Sequence, residues 1–203
     1  MGQHHDHGDA NAFMNSRQFE DLVAAFETPE RAEWQKPEEV IEFLGDLHGK
    51  TVMDIGSGTG YFSSRLVRAG AKVICADIDE RFLNYIRERA IREEFQEEKI
   101  ELRHVLHDSP QLKENEVDLV LIVNTYHHIE DRVSYLKEVL NGLKPNGKLT
   151  IIDFNKEELP VGPPVEMKLT PNQIIRELTE AGFKRIDLNK ELLPYQYIVE
   201  AFK

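Results

Sequence analysis

Two aspartates and three glycines within residues 51–79 carry the densest chemical signal in this 203-residue sequence. The stretch reads TVMDIGSGTGYFSSRLVRAGAKVICADID, with glycines at 56, 58 and 60 between Asp54 and Asp77. Such glycines let backbone amides and a ligand approach closely where a Cβ would obstruct. Asp77 ends an apolar run about twenty residues beyond them, well placed to accept hydrogen bonds from ribose hydroxyls. Asp54 sets a negative charge just before the turn, which repels a pyrophosphate and attracts a ligand carrying positive charge. A dinucleotide fingerprint would also place its third glycine where Tyr61 stands. The expected ligand is therefore a nucleoside-containing cofactor with a cationic part, touched by Asp54, Gly56, Ser57, Gly58, Gly60 and Asp77. A glycine turn serving only the packing of some other α/β domain is the alternative.

A second cluster follows the apolar run VDLVLIVN at 117–124, where Asn124 gives way to Tyr126, His127 and His128. Imidazole exchanges a proton near neutral pH, so either histidine could act as a general base. The competing role is a structural hydrogen bond from strand end to next helix. Being adjacent, the two should point differently: His127, nearer the strand, toward the ligand, and His128 inward to hold the turn. A third cluster, His4, His5, Asp6 and His7, has metal-ligand chemistry. It stands in a polar segment, 1–12, that reads as a disordered tail, and no metal site is expected.

The elements that must position these residues alternate. Strands are expected at 51–55, at a run ending on Asp77, at 100–106, 117–124 and 148–154. Between them lie helical patterns such as Phe82, Leu83, Ile86 and Ala90, or Leu136, Val139, Leu140 and Leu143. The continuous apolarity of 117–124 marks a central strand covered on both faces. Pro145-Asn146-Gly147 is a turn. Residues 155–169 contain three prolines and no regular pattern, as expected of a lid. Thr170-Pro171 caps a helix that Gly182 ends. Strands near 185–189 and 195–202 are joined too tightly for a parallel crossover and must form an antiparallel hairpin. Ahead of all this, residues 13–46 make a helical segment with one apolar face (Phe13, Phe19, Leu22, Val23, Phe26), and Trp34 either packs or covers the ligand mouth.

The pattern D-x-G-x-G-x-G followed by a strand-terminal Asp resembles the first two motifs of class I S-adenosylmethionine-dependent methyltransferases. YHHIED and LKPNGKLTIIDF are similar to the later motifs of their small-molecule branch, with Asn146 where many members have glycine. FETPERAEWQKP, VGPP and LPYQY extend the likeness to a group of small stand-alone bacterial methyltransferases. The resemblance implies an α/β, Rossmann-like doubly wound, mainly parallel seven-stranded sheet, with an antiparallel C-terminal hairpin and an N-terminal helical segment. Residues 13–203 would form one domain, capped by 13–46. The resemblance further implies S-adenosylmethionine as cofactor, Ile78 packed on its adenine, Asp108 near the adenine amino group, Asn124 as a further cofactor-binding residue, and Tyr126, His127 and His128 near the transferred methyl. The Asn/Asp-Pro-Pro-Tyr signature of amino-methylating nucleic-acid and protein enzymes is absent, since Asn124 is followed by Thr125-Tyr126.

Composition narrows the partners. A formal net charge of -12 disfavours a nucleic-acid backbone or an anionic membrane surface. Cys75, the single cysteine, lies in an apolar run and reads as a core residue of a reducing compartment. The expectation is a cytoplasmic enzyme acting on a small molecule. A methyltransferase for protein or nucleic acid, a non-catalytic cofactor-binding or metal-sensing module, and a NAD-dependent oxidoreductase are the rivals.

Overall fold

The computed structural model describes residues 18–203, so Phe13 and the histidines of the tail lie outside the described residues. Three helices open it: α1 (Phe19–Phe26), α2 (Arg31–Gln35) and α3 (Pro37–Leu44). The remainder is β1 (Thr51–Ile55), α4 (Ser63–Arg68), β2 (Lys72–Asp77), α5 (Glu80–Arg92), β3 (Ile100–His104), β4 (Val117–Val123), α6 (Arg132–Gly142), β5 (Leu143–Phe154), α7 (Pro171–Ala181), β6 (Arg185–Asn189) and β7 (Gln196–Phe202).

The seven strands form one Rossmann-like sheet in the order β3-β2-β1-β4-β5-β7-β6, parallel except that β7 runs antiparallel to both β5 and β6. Strand alternation divides the core between two faces. Met53 and Ile55 pack toward Leu136, Val139, Ile174 and Leu178 of α6 and α7. Val52 packs toward Val40, Leu66 and Ile86 of α3, α4 and α5. The chain winds outward from β1 to β3, then restarts at β4. The switch between β1 and β4 leaves a crevice at the carboxyl ends of the strands, where ligands bind in open α/β sheets.

Two boundaries differ from expectation by more than one residue. The third strand stops at His104, because its only neighbour, β2, ends at Asp77 opposite it. Leu106 instead makes an isolated bridge with Ser109. The fifth strand begins at Leu143, with Pro145-Asn146-Gly147 bulging out inside it. Pairing runs from Val117 with Leu143 straight to Leu119 with Lys148, and Asn146 takes a left-handed φ of 66°. Among the described residues, no helix is long and apolar enough to cross a membrane.

Candidate active site

A cavity of about 440 Å³ occupies that crevice. Its first wall is the turn after β1. The Gly58 N–H donates to Asp77 Oδ2 at 2.8 Å, and the Asp79 N–H to Asp77 Oδ1 at 3.0 Å. Asp77 therefore shapes the turn while each of its oxygens keeps a lone pair for a ligand. Burial raises its pKa above the ordinary carboxylate value. Gly56 has φ of 69°, and a Cβ there would lie 2.3 Å from Thr125 Oγ1, on the loop that follows β4. Gly56→Ala is accordingly expected to cost about 2–4 kcal/mol, from overpacking plus left-handed strain. Chemical denaturation checks this, and wild-type stability would show that β1 and β4 need no such close approach.

Asp54 faces α4, where Ser63 Oγ donates to its Oδ2 at 2.6 Å. Burial, reinforced by the Asp77 charge and opposed by Ser63 and Arg31, pushes its pKa up to about 6. Arg31, from α2, is a cation of this wall, and Arg81 also lines the cavity. The Arg31 guanidinium lies 4.0 Å over the Tyr61 ring, with Nη1 donating to the Phe26 carbonyl at 2.8 Å. Burial lowers its pKa to about 10, which leaves it charged at neutral pH. The helical cap is tied to the turn through Glu27 Oε1, which accepts from Thr59 Oγ1 at 2.5 Å and Arg89 Nη1 at 2.7 Å. Phe26 stacks on Phe82 at 5.6 Å between ring centroids.

The opposite wall is a 3₁₀ turn, Tyr126–His128. Three residues per turn send successive side chains in three directions. His127 is buried, with Nδ1 at 3.0 and 3.1 Å from the two carboxylate oxygens of Asp153 at the end of β5. Asp153 Oδ1 also accepts the Phe154 N–H at 2.8 Å. The His128 ring lies 4.3 Å from that of His127, and burial followed by that neighbour depresses its pKa to about 4, so it stays neutral. Trp34 packs on Phe154 at 5.6 Å, and Gly162, Pro163, Pro164 and Met167 complete the mouth. Residues 155–169 are more anchored than their sequence suggests. Lys168 is buried, its Nζ donating to the Glu157 carbonyl at 2.7 Å, and Lys156 Nζ donates to the Lys168 carbonyl at 2.5 Å.

A family model described as a methyltransferase domain matches residues 46–194, most of the chain. The chain belongs to this methyltransferase family. It is similar to a SAM-dependent methyltransferase from Aquifex aeolicus, with 27% identity, a TM-score of 0.81, and coverage of 92% of this chain and 99% of that one. It is 28% identical over 178 residues to the ubiquinone biosynthesis O-methyltransferase of Acinetobacter baylyi, covering 79% of this chain and 72% of that protein. It is also 30% identical over 132 residues to the demethylmenaquinone methyltransferase of Tropheryma whipplei, of which it spans 52%.

In this methyltransferase Asp54, Gly56, Ser57, Gly58, Asp77, Ile78, Asn124, His127 and His128 all line the cavity. Three expected residues lie elsewhere. Gly60 is outside the wall and packs instead, since a Cβ there would lie 3.0 Å from Ile86 Cγ1. Asp108 is exposed at the tip of the small turn closed by Leu106 and Ser109, and Leu106 and His107 take the cavity wall in its place. Tyr126 is fully buried behind the site, donating to Glu177 Oε2 at 2.7 Å within a cluster that includes a bidentate Arg132. Burial and the Glu177 charge raise its pKa. Both histidines border the cavity, His127 with Nδ1 against Asp153 and His128 beside it, although His128 was expected to turn inward. Residue patterns missed Asp153 and Arg31. Asp153 had a signal, an acid closing an apolar strand as Asp77 does. Arg31 had none, because the folding of the cap brings it to the cavity. Among the described residues, no group of three or more His, Cys, Asp and Glu could hold a metal ion.

Proposed function

We propose that this methyltransferase moves a methyl group from S-adenosylmethionine to a small organic nucleophile, with His127 accepting the proton that the nucleophile loses. One observation carries the reading: a single cavity joins the glycine turn and its buried carboxylates to the His127–Asp153 pair. The donor set suits the cofactor. Asp54 and Arg31 meet opposite charges of an amino-acid end, Asp77 meets ribose hydroxyls, and the exposed apolar side chains of Ile78 and Leu106 offer faces to a flat base. When bound, the cofactor supplies a methyl group on a sulfonium that is already an activated leaving group. The protein's task is then alignment, exclusion of water and proton removal.

The acceptor side is apolar, bounded by Trp34, Phe154, Pro163, Pro164 and Met167. That wall favours a ring-bearing hydroxyl compound, in keeping with the quinone-pathway names of the relatives. A protein or nucleic-acid acceptor is disfavoured by the net charge of -12.

Asp77→Ala is expected to weaken S-adenosylmethionine binding by about 1.5–3 kcal/mol, roughly ten- to a hundredfold, by loss of charged hydrogen bonds. Calorimetry on both proteins checks it. Unchanged affinity, or a wild-type preference for NAD, overturns the cofactor reading. Methyl transfer to a panel of hydroxylated aromatic compounds tests the acceptor.

A further inference from the structure

Four side chains between the helical cap and the sheet form one hydrogen-bonded chain. Arg31 Nε donates to Gln35 Oε1 at 2.5 Å, Gln35 Nε2 to Gln196 Oε1 at 3.0 Å, and Gln196 Nε2 to Asn124 Oδ1 at 2.5 Å. Gln35 and Gln196 are fully buried, whereas Arg31 and Asn124 both line the cavity. The direction of this chain is not free. A guanidinium has only donors, so Gln35 must turn its oxygen to Arg31 and its NH₂ onward. The same constraint passes to Gln196 and then to Asn124, whose oxygen is engaged by Gln196. What Asn124 retains for a ligand is its NH₂ group. Its backbone is held too, with φ of 56° and its N–H donating to the Ile152 carbonyl at 2.9 Å.

We propose that Gln35 and Gln196 are positioning residues that transmit the polarity of Arg31 to Asn124, so that both ends of the chain present N–H donors to the carboxylate of the bound cofactor. This rests on the S-adenosylmethionine reading above. A carboxylate can only accept, and of the charged groups on that cofactor it is the one whose recognition demands donors. Asp54, an acceptor when ionised, is left for the ammonium.

S-Adenosylhomocysteine and 5′-methylthioadenosine are suitable calorimetric probes. Both contain adenine, ribose and a thioether, and only the first has the amino-acid end. Gln196→Glu replaces a relaying amide by a group that only accepts. It takes the Gln35 NH₂ on one oxygen and draws the Asn124 NH₂ to the other, turning Asn124 Oδ1 to the cavity. Gln35→Glu keeps the contact with Arg31 and reverses Gln196 and Asn124 in the same way. Each variant is expected to bind S-adenosylhomocysteine about ten- to a hundredfold more weakly, the scale of a hydrogen bond to a charged group. Its affinity for 5′-methylthioadenosine should match that of wild type. Undiminished binding of both probes, or equal loss of both, overturns the proposal; the second result would mean that the pocket was merely deformed. Wild-type protein that fails to bind S-adenosylhomocysteine would instead defeat the cofactor reading itself. Should a buried variant not fold, Asn124→Asp makes the same donor-to-acceptor exchange at the half-exposed end, and a parallel response of the two probes there is equally decisive.

Discussion

His127→Ala is expected to lower turnover by about 10²–10⁴, some 3–5 kcal/mol of barrier, while leaving S-adenosylmethionine affinity nearly unchanged. The expectation follows from how the ring is held. With Nδ1 at 3.0 and 3.1 Å from the Asp153 oxygens, the ring is expected to donate Nδ1–H to that carboxylate, and a base at this position would take the hydroxyl proton on Nε2. Asp153 is fully buried and does not itself line the cavity, so its expected role is to orient His127 rather than to meet an acceptor.

Asp153→Asn sharpens the test without changing volume. The Phe154 N–H, donating to Asp153 Oδ1 at 2.8 Å, would hold the asparagine oxygen, leaving its NH₂ to face His127 Nδ1. The ring would then take the opposite tautomer, with Nε2 protonated and unable to accept. Turnover should fall on the same scale as in His127→Ala, and the cofactor should still bind. Normal turnover of His127→Ala with an identified acceptor, or loss of cofactor binding in that variant, would leave alignment alone as the account of catalysis.

The sheet was legible because buried parallel strands are written as uninterrupted apolar runs, and the carboxylates that close two of them stand on the ligand edge by position alone. The same rule applied to Asp153 but was obscured, because its meaning depends on His127 folding over from the neighbouring strand. Directions within a turn are harder to read. Tyr126, His127 and His128 are equivalent in sequence, and only a 3₁₀ turn sends the first toward Glu177 and the second toward Asp153. Which glycine borders the cavity and which packs was also hidden, since Gly58 lines the cavity whereas Gly60 lies against Ile86. Arg31, Gln35 and Trp34 lie in a segment of short helices whose docking is decided by distant partners, including Gln196 and Phe154.

Asp54→Asn is expected to stabilise the unliganded protein at pH 8 while weakening its hold on the cofactor. The carboxyl titrates near 3.8 when unfolded and at about 6 when folded, so between those values the native state binds more protons than the unfolded one. Stability contributed by this group therefore falls as pH rises from about 4 to 6, and above 6 the full penalty of about 2–3 kcal/mol is present. Asparagine keeps an acceptor for Ser63 and carries no charge. The variant should melt roughly 5–10 °C above wild type at pH 8, with the difference shrinking toward pH 4 and vanishing below about pH 3, where the wild-type group is protonated in both states. Other carboxylates shift the absolute curves, among them Glu177 beside Arg132 and Glu116 beside Arg103, whose pKa values are lowered. Taking the difference between the two proteins isolates Asp54 from them.

Ligand binding must show the opposite sign. A cationic cofactor selects the ionised carboxylate, so below pH 6 binding has to expel a proton. Wild-type affinity for S-adenosylmethionine should be about tenfold weaker at pH 5 than at pH 8, because only about a tenth of Asp54 is ionised there. The Asp54→Asn protein should bind about ten- to a hundredfold more weakly at pH 8, having lost a partly buried charge pair, and should lose most of that pH dependence. Calorimetry at the two pH values, beside melting curves on the same samples, reads both signs. A variant that is no more stable at pH 8, or that binds the cofactor as tightly as wild type, would show that the charge of Asp54 is not held in reserve for a cation.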